Sequence, residues 1–168
     1  PDDHYHHTGI WQAWVKTKYG SHTPDFWNLK NIQLSRENKK SKSTPARVNC
    51  IGIKSIHDNG FTVILHHLAY LKGAVQEPTV ILVENLKISL SVIEGNYIID
   101  YDSIQENVAN DNLEFPSYRY GGGLAFRGPH HWNADNSDYM SSKGLSRSNS
   151  HTSKAKWVAM YGSISPEE

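Results

Sequence analysis

Apolar and polar residues alternate along much of this chain with a period of two, the signature of half-buried strands. Trp11, Ala13, Val15, Thr17 and Tyr19 fall on one face of residues 9–19, and Gln12, Lys16 and Lys18 on the other. Trp14 is out of phase, an indole on the polar side. The pattern is clearest over residues 47–71. Residues 48–56 are rich in β-formers, and Asp58-Asn59-Gly60 then supplies an Asn-Gly hairpin cue, because both residues accept positive φ. On the return strand Phe61, Val63, Leu65, Ala69 and Leu71 share a face, with His67 among them.

Residues 80–83 form a short strand that is apolar on both faces. Leu86, Ile88, Leu90 and Val92 alternate with Lys87, Ser89 and Ser91. A second hairpin turn, Glu94-Gly95-Asn96, leads into Tyr97, Ile99 and Tyr101. Residues 102–114 read as a polar loop or one helical turn. A strand over 118–126 is interrupted by Gly121-Gly122-Gly123, and Ala155, Trp157, Ala159 and Tyr161 alternate as the last strand. Between them, residues 128–153 have no sustained period and read as a long loop, a kind of segment that is usually functional or mobile. Residues 1–8 are a polar lead-in and 163–168 a tail. Residues 20–46 carry an apolar patch (Phe26, Trp27, Leu29, Ile32, Leu34), followed by an exposed charged loop.

These segments amount to about eight or nine strands and no amphipathic helix of about ten residues or more. Adjacent antiparallel strands usually pair, so the expectation is one mainly-β domain over residues 1–168, a single antiparallel meander. Closing the meander into a small barrel would remove its exposed edges. A two-sheet sandwich or jelly roll is the rival solution.

The segment Thr8-Gly9-Ile10-Trp11 at the start of the first strand resembles the Gly-x-Trp signature of lipocalins and related calycin barrels. The chain length and the late final strand are also similar. The resemblance implies a lipocalin-like barrel whose tryptophan closes one end beneath a basic residue, with Lys154 or Lys156 as the counterpart of the family's arginine. It also implies an apolar ligand in the interior. The inward set would include Trp11, Val15, Phe61, Val63, Leu65, Tyr97 and Tyr118.

Charge narrows the options only locally. The 17 basic residues balance the 17 acidic ones, so net charge points to neither a nucleic acid nor a membrane. Residues 30–47 nevertheless hold Lys30, Arg36, Lys39, Lys40, Lys42 and Arg47 against Glu37 alone, a run that would suit a phosphate backbone but is more often a solvated loop. No apolar run approaches the length of a membrane-spanning helix. The single cysteine, Cys50, excludes an internal disulfide, is expected as a buried inert thiol, and leans toward a reducing compartment such as the cytoplasm. Oligomeric state and location are otherwise open.

Catalytic and cofactor motifs are missing. The glycine triplet lacks the strand–helix context and lysine of a phosphate loop, so no cofactor is expected. Seven of the 10 histidines cluster, as His4/His6/His7, His66/His67 and His130/His131. Neighbours on a strand point to opposite faces, so His66 and His67 cannot share a metal ion, and surface histidines with one core histidine are expected rather than a metal site. The richest chemistry lies in residues 118–138. There His130 or His131 as acid–base groups, Arg119 or Arg127 as electrostatic partners, and Asp135 or Asp138 as orienting carboxylates compose an alternative enzyme site, suited to a phosphodiester. A structural or assembly protein is the third alternative.

Overall fold

A computed structural model describes residues 9–28, 30–37, 42–72, 75–118 and 123–163. In chain order these form β1 (Ile10–Ala13), β2 (Lys18–Tyr19), β3 (Pro24–Asp25), α1 (Lys30–Arg36), β4 (Thr44–His57), β5 (Gly60–Ala69), β6 (Thr79–Ile93), β7 (Asn96–Asn107), β8 (Leu113–Glu114), β9 (Gly123–Phe126), β10 (Ser137–Ser141) and β11 (Val158–Gly162). The protein is mainly β. Its chain groups into two compact units, residues 13–122 and residues 1–12 with 123–168.

The larger unit is built on a five-stranded sheet in the order β3-β4-β5-β6-β7. Strands β4 to β7 form the antiparallel meander expected from the alternation. The sheet curls as a half-barrel but does not close, with β3 and β7 as its edges. The expected closed barrel is therefore corrected. At one edge β3 is only a two-residue parallel strand, pairing Pro24 with Thr44 and Asp25 with Pro45. It ends where the Asp25 carboxylate accepts hydrogen bonds from the N–H groups of Trp27 and Asn28, both at 3.0 Å, and turns the chain toward α1.

Several boundaries differ from the sequence reading for local reasons. The strand expected over 9–19 is broken into β1 and β2. Between them the segment folds back on itself, with the Thr17 hydroxyl donating to the Pro24 carbonyl at 2.5 Å and the Phe26 N–H to the Trp14 carbonyl at 3.0 Å. The two strands expected on either side of Glu84-Asn85 are one, β6. The expected polar loop over 102–114 begins as the continuation of β7, and the long loop 128–153 contains β10. Cys50 is exposed, which corrects the expected buried thiol.

Both hairpins form, by different means. Glu94 (φ 50°) and Gly95 (φ 78°) make a two-residue turn with both residues at positive φ, the type whose twist suits antiparallel strands. At the first hairpin the turn is Asp58-Asn59, with none of Asp58, Asn59 or Gly60 at positive φ. Gly60 is instead required by close approach, since a Cβ there would overlap the Ile88 carbonyl oxygen.

In the smaller unit β1 pairs with β9, and β10 pairs antiparallel with β11. The Trp132 indole sits against two glycines. A Cβ on Gly128 would lie 2.6 Å from it, and one on Gly162 2.7 Å. Its Nε1 donates to the Ser163 carbonyl at 2.8 Å.

Candidate ligand-binding face

The ladder register fixes which side chains share a face of the large sheet, because the side-chain period is two. Across β4, β5, β6 and β7 one face carries successive rows. They are Val48–His67–Leu82–Asn107, then Cys50–Leu65–Glu84–Gln105, then Ile53–Val63–Leu86–Ser103, then Ile56–Phe61–Ile88–Tyr101. Beyond the end of β5 the same face continues on the β6–β7 hairpin with Leu90–Ile99 and Val92–Tyr97. The opposite face is more polar, with Ser55, Thr62, Asn85, Lys87, Ser89, Asp100 and Asp102 in register.

The first of these rows lies at the covered end. Phe26, Ala46, Ala69 and Ile81 form the buried core there, and Trp14, Tyr19, Val48, Leu71, Ala109 and Leu113 pack against it. Burying each large apolar side chain stabilises the fold by about 1.5–3 kcal/mol. The far end is uncovered. Ile53 is 65% exposed, Ile56 76%, Val92 61% and Tyr97 74%, and Phe61, Leu90 and Ile99 are exposed as well. Scattered exposed apolar residues are normal, but a contiguous apolar face is characteristic of a binding surface.

A buried polar network separates the two ends. His67 and Glu84 are each only 2% exposed. They stand diagonally across the β5–β6 ladder, and His67 Nε2 donates to Glu84 Oε2 at 2.7 Å. The other carboxylate oxygen accepts from Ser103 Oγ at 2.7 Å. Gln105 Nε2 donates to Ser103 Oγ at 3.3 Å, and Gln105 Oε1 accepts from Trp14 Nε1 at 3.0 Å. Trp14 packs on Phe115 with ring centroids 4.3 Å apart, and Phe26 meets the His67 ring edge-on at 5.3 Å. His67 Nδ1 is buried without a hydrogen-bond partner among the described residues. Burial pushes the Glu84 carboxyl up, but the hydrogen bonds from His67 and Ser103, the His67 charge and Gln105 outweigh it and hold the carboxyl below its usual range. Burial first, then the Glu84 charge, pushes the Tyr101 phenol up to about 12. Tyr101 thus remains a neutral hydroxyl at the border of the apolar rows.

Of the residues expected to line a ligand site, Phe61, Val63, Leu65 and Tyr97 share this face. Val15 is half-buried between β1 and β2, and Tyr118 is half-buried after β8. Trp11 lies on β1, in the smaller unit, and Lys154 and Lys156 are exposed there. The sequence reading missed Trp14, Ile53, Ile56, Glu84, Tyr101, Ser103 and Gln105. Only two of them carried a signal in the sequence: Trp14, an indole out of phase with its strand, and Glu84, a carboxylate set in an apolar run.

The alternative histidine site is only partly described, since Arg119 lies outside the described residues. His130 is exposed in a turn and meets His131 edge-on at 5.7 Å. The His131 Nε2 donates to the Ser163 carbonyl at 3.2 Å, and the Arg127 backbone N–H donates to the Gly9 carbonyl at 2.9 Å. Among the described residues Asp138 orients no histidine. Its carboxylate accepts from the backbone N–H of Tyr139 at 2.8 Å and of Arg147 at 3.1 Å, and these bonds hold its pKa below the ordinary value. Among the described residues no three potential metal ligands converge, and no helix is long and apolar enough to cross a membrane.

These features define a mainly-β protein whose curled open sheet has one apolar face covered at one end only. The chain belongs to the family of unknown function DUF6807, whose model matches residues 1–168. No curated protein and no solved structure matches it.

Proposed function

We propose that the protein is a binding module whose uncovered sheet face takes a small apolar or aromatic ligand. One observation carries this reading: the contiguous exposed rows through Ile53, Ile56 and Phe61, with Leu90, Val92, Tyr97 and Ile99 beyond them, on a sheet whose same face is densely packed at its other end. The polar border of Ser103 and Tyr101 gives such a ligand a place for one polar group. Pockets that combine apolar walls with a few oriented polar groups are the common form of small-molecule sites.

The test is titration with an environment-sensitive apolar fluorophore. The wild-type protein is expected to enhance its emission saturably. The double variant Ile53→Ser/Ile56→Ser is expected to weaken binding about tenfold or more, since each lost aliphatic contact is worth about 1 kcal/mol. Its melting temperature should stay close to wild type, because both side chains are largely in water already. Unchanged probe affinity in the double variant would refute the reading. Concentration-dependent dimerisation abolished by the same substitutions would assign the face to a second copy instead.

A further inference from the structure

We propose that a cavity at the start of β4, distinct from the apolar face, binds the carboxylate or phosphate group of a small anionic ligand. The cavity measures about 200 Å³ and is lined in part by Arg36, Arg47, Tyr70, Gln76 and Glu77. Arg36 ends α1, Arg47 lies near the beginning of β4, and Tyr70 follows β5 directly. Two arginines and one glutamate thus line the same small space. Among the described residues neither arginine has a carboxylate within ion-pair distance.

Arg47 is the more constrained of the two. Its guanidinium carbon stands 5.7 Å from the centroid of the Tyr70 ring, a cation–π arrangement that favours one plane for the fork. Tyr70 is itself buried, so the platform is fixed. Arg47 Nε is buried and has no hydrogen-bond partner among the described residues. An ionised donor removed from water without an acceptor is costly, and a planar fork is matched best by the paired oxygens of a carboxylate or phosphate. The Gln76 amide adds a neutral donor at the lining. A space of about 200 Å³ is below the roughly 300–1,000 Å³ of pockets that enclose a drug-sized molecule, so it admits an anionic end group rather than a whole large ligand.

Calorimetric titration of the full chain tests this, with inorganic phosphate and acetate as separate probes in a buffer containing neither. Saturable binding of one probe per chain is expected, and the preferred probe identifies the group. Arg47→Lys keeps the charge but loses the fork, and is expected to bind about tenfold more weakly. Arg36→Gln, at an exposed helix end, should weaken binding by a similar factor without affecting the fold. Glu77→Gln should tighten it several-fold by removing the opposing carboxylate. Absence of binding by both probes at concentrations on the order of 10 mM, or affinity unchanged in both arginine variants, would overturn the proposal. So would tight, steeply salt-dependent binding of a single-stranded oligonucleotide that survives Arg47→Lys but is lost in Lys39→Gln/Lys40→Gln/Lys42→Gln. That result would make the basic run a nucleic-acid surface.

Discussion

Glu84→Ala is expected to cost about 2–3 kcal/mol of folding stability, the range for leaving buried donors without their charged hydrogen-bond acceptor. The substitution strands His67, which is buried beside it, and takes away the acceptor of Ser103 Oγ. It also leaves a cavity between the core and the open rows. Urea denaturation should show a lower midpoint with an unchanged slope. Glu84→Gln, which keeps the volume, separates charge from packing. The Glu84 pKa is depressed in the native state, so its contribution is present above the ordinary glutamate range and is lost as pH falls through the depressed native value. Wild-type stability should accordingly fall on acidification below about pH 4 more steeply than that of Glu84→Gln. Equal acid limbs in the two proteins would mean that Glu84 is not held ionised by His67 and Ser103.

Gly60→Ala is expected to destabilise by about 2–3 kcal/mol, the cost of forcing atoms into filled space. The new methyl would overlap the Ile88 carbonyl oxygen and stand 2.9 Å from Ser89 Cα. Those atoms are backbone in the β5–β6 ladder and cannot move aside as a flexible side chain would. Gly52→Ala is the matched control on β4. Nothing lies within 4 Å of its Cβ position, and its φ is not positive. A change there within about 0.5 kcal/mol is expected. Similar losses at both positions would indicate a general intolerance of the hairpin rather than close approach at Gly60.

The central meander was legible because its strands are long and covered differently on their two faces, so the period of two survives in the sequence. The Glu94-Gly95 turn was legible for the same local reason, since both residues must adopt positive φ. Other features depend on partners far away in sequence. Glu84-Asn85 looks like a break between strands until His67, 17 residues away, supplies a buried donor for the carboxylate. Trp14 looks like a defect in an alternating strand until Gln105, 91 residues away, accepts from its indole. Barrel closure could not be read from alternation at all. Period two states that a face is apolar, and it is silent on whether that face is covered by closure, by another layer or by a ligand. Asn59-Gly60 located its hairpin correctly but for a different physical reason, the crowding of β6 against Gly60.

The candidate site was legible in the same proportion. Phe61, Val63, Leu65 and Tyr97 could be placed on one face from spacing, whereas Trp11 and Tyr118 were added on the assumption of a closed wall. Ile53 and Ile56 escaped because irregularities in the β4–β5 register, between Cys50 and Gly52 and between Ile53 and Ser55, shift their phase along β4. A bulge of this kind moves a side chain to the other face without any change in composition.

Amide NMR mapping of a bound apolar probe tests the ligand-face claim most directly. The largest shifts are predicted at the backbone amides of residues 53–63 and 86–101, with Ser103 and Gln105 at the margin and little change in residues 123–163. Shifts concentrated in 123–163, or spread evenly over the chain, would contradict the assignment of this sheet face as the binding surface.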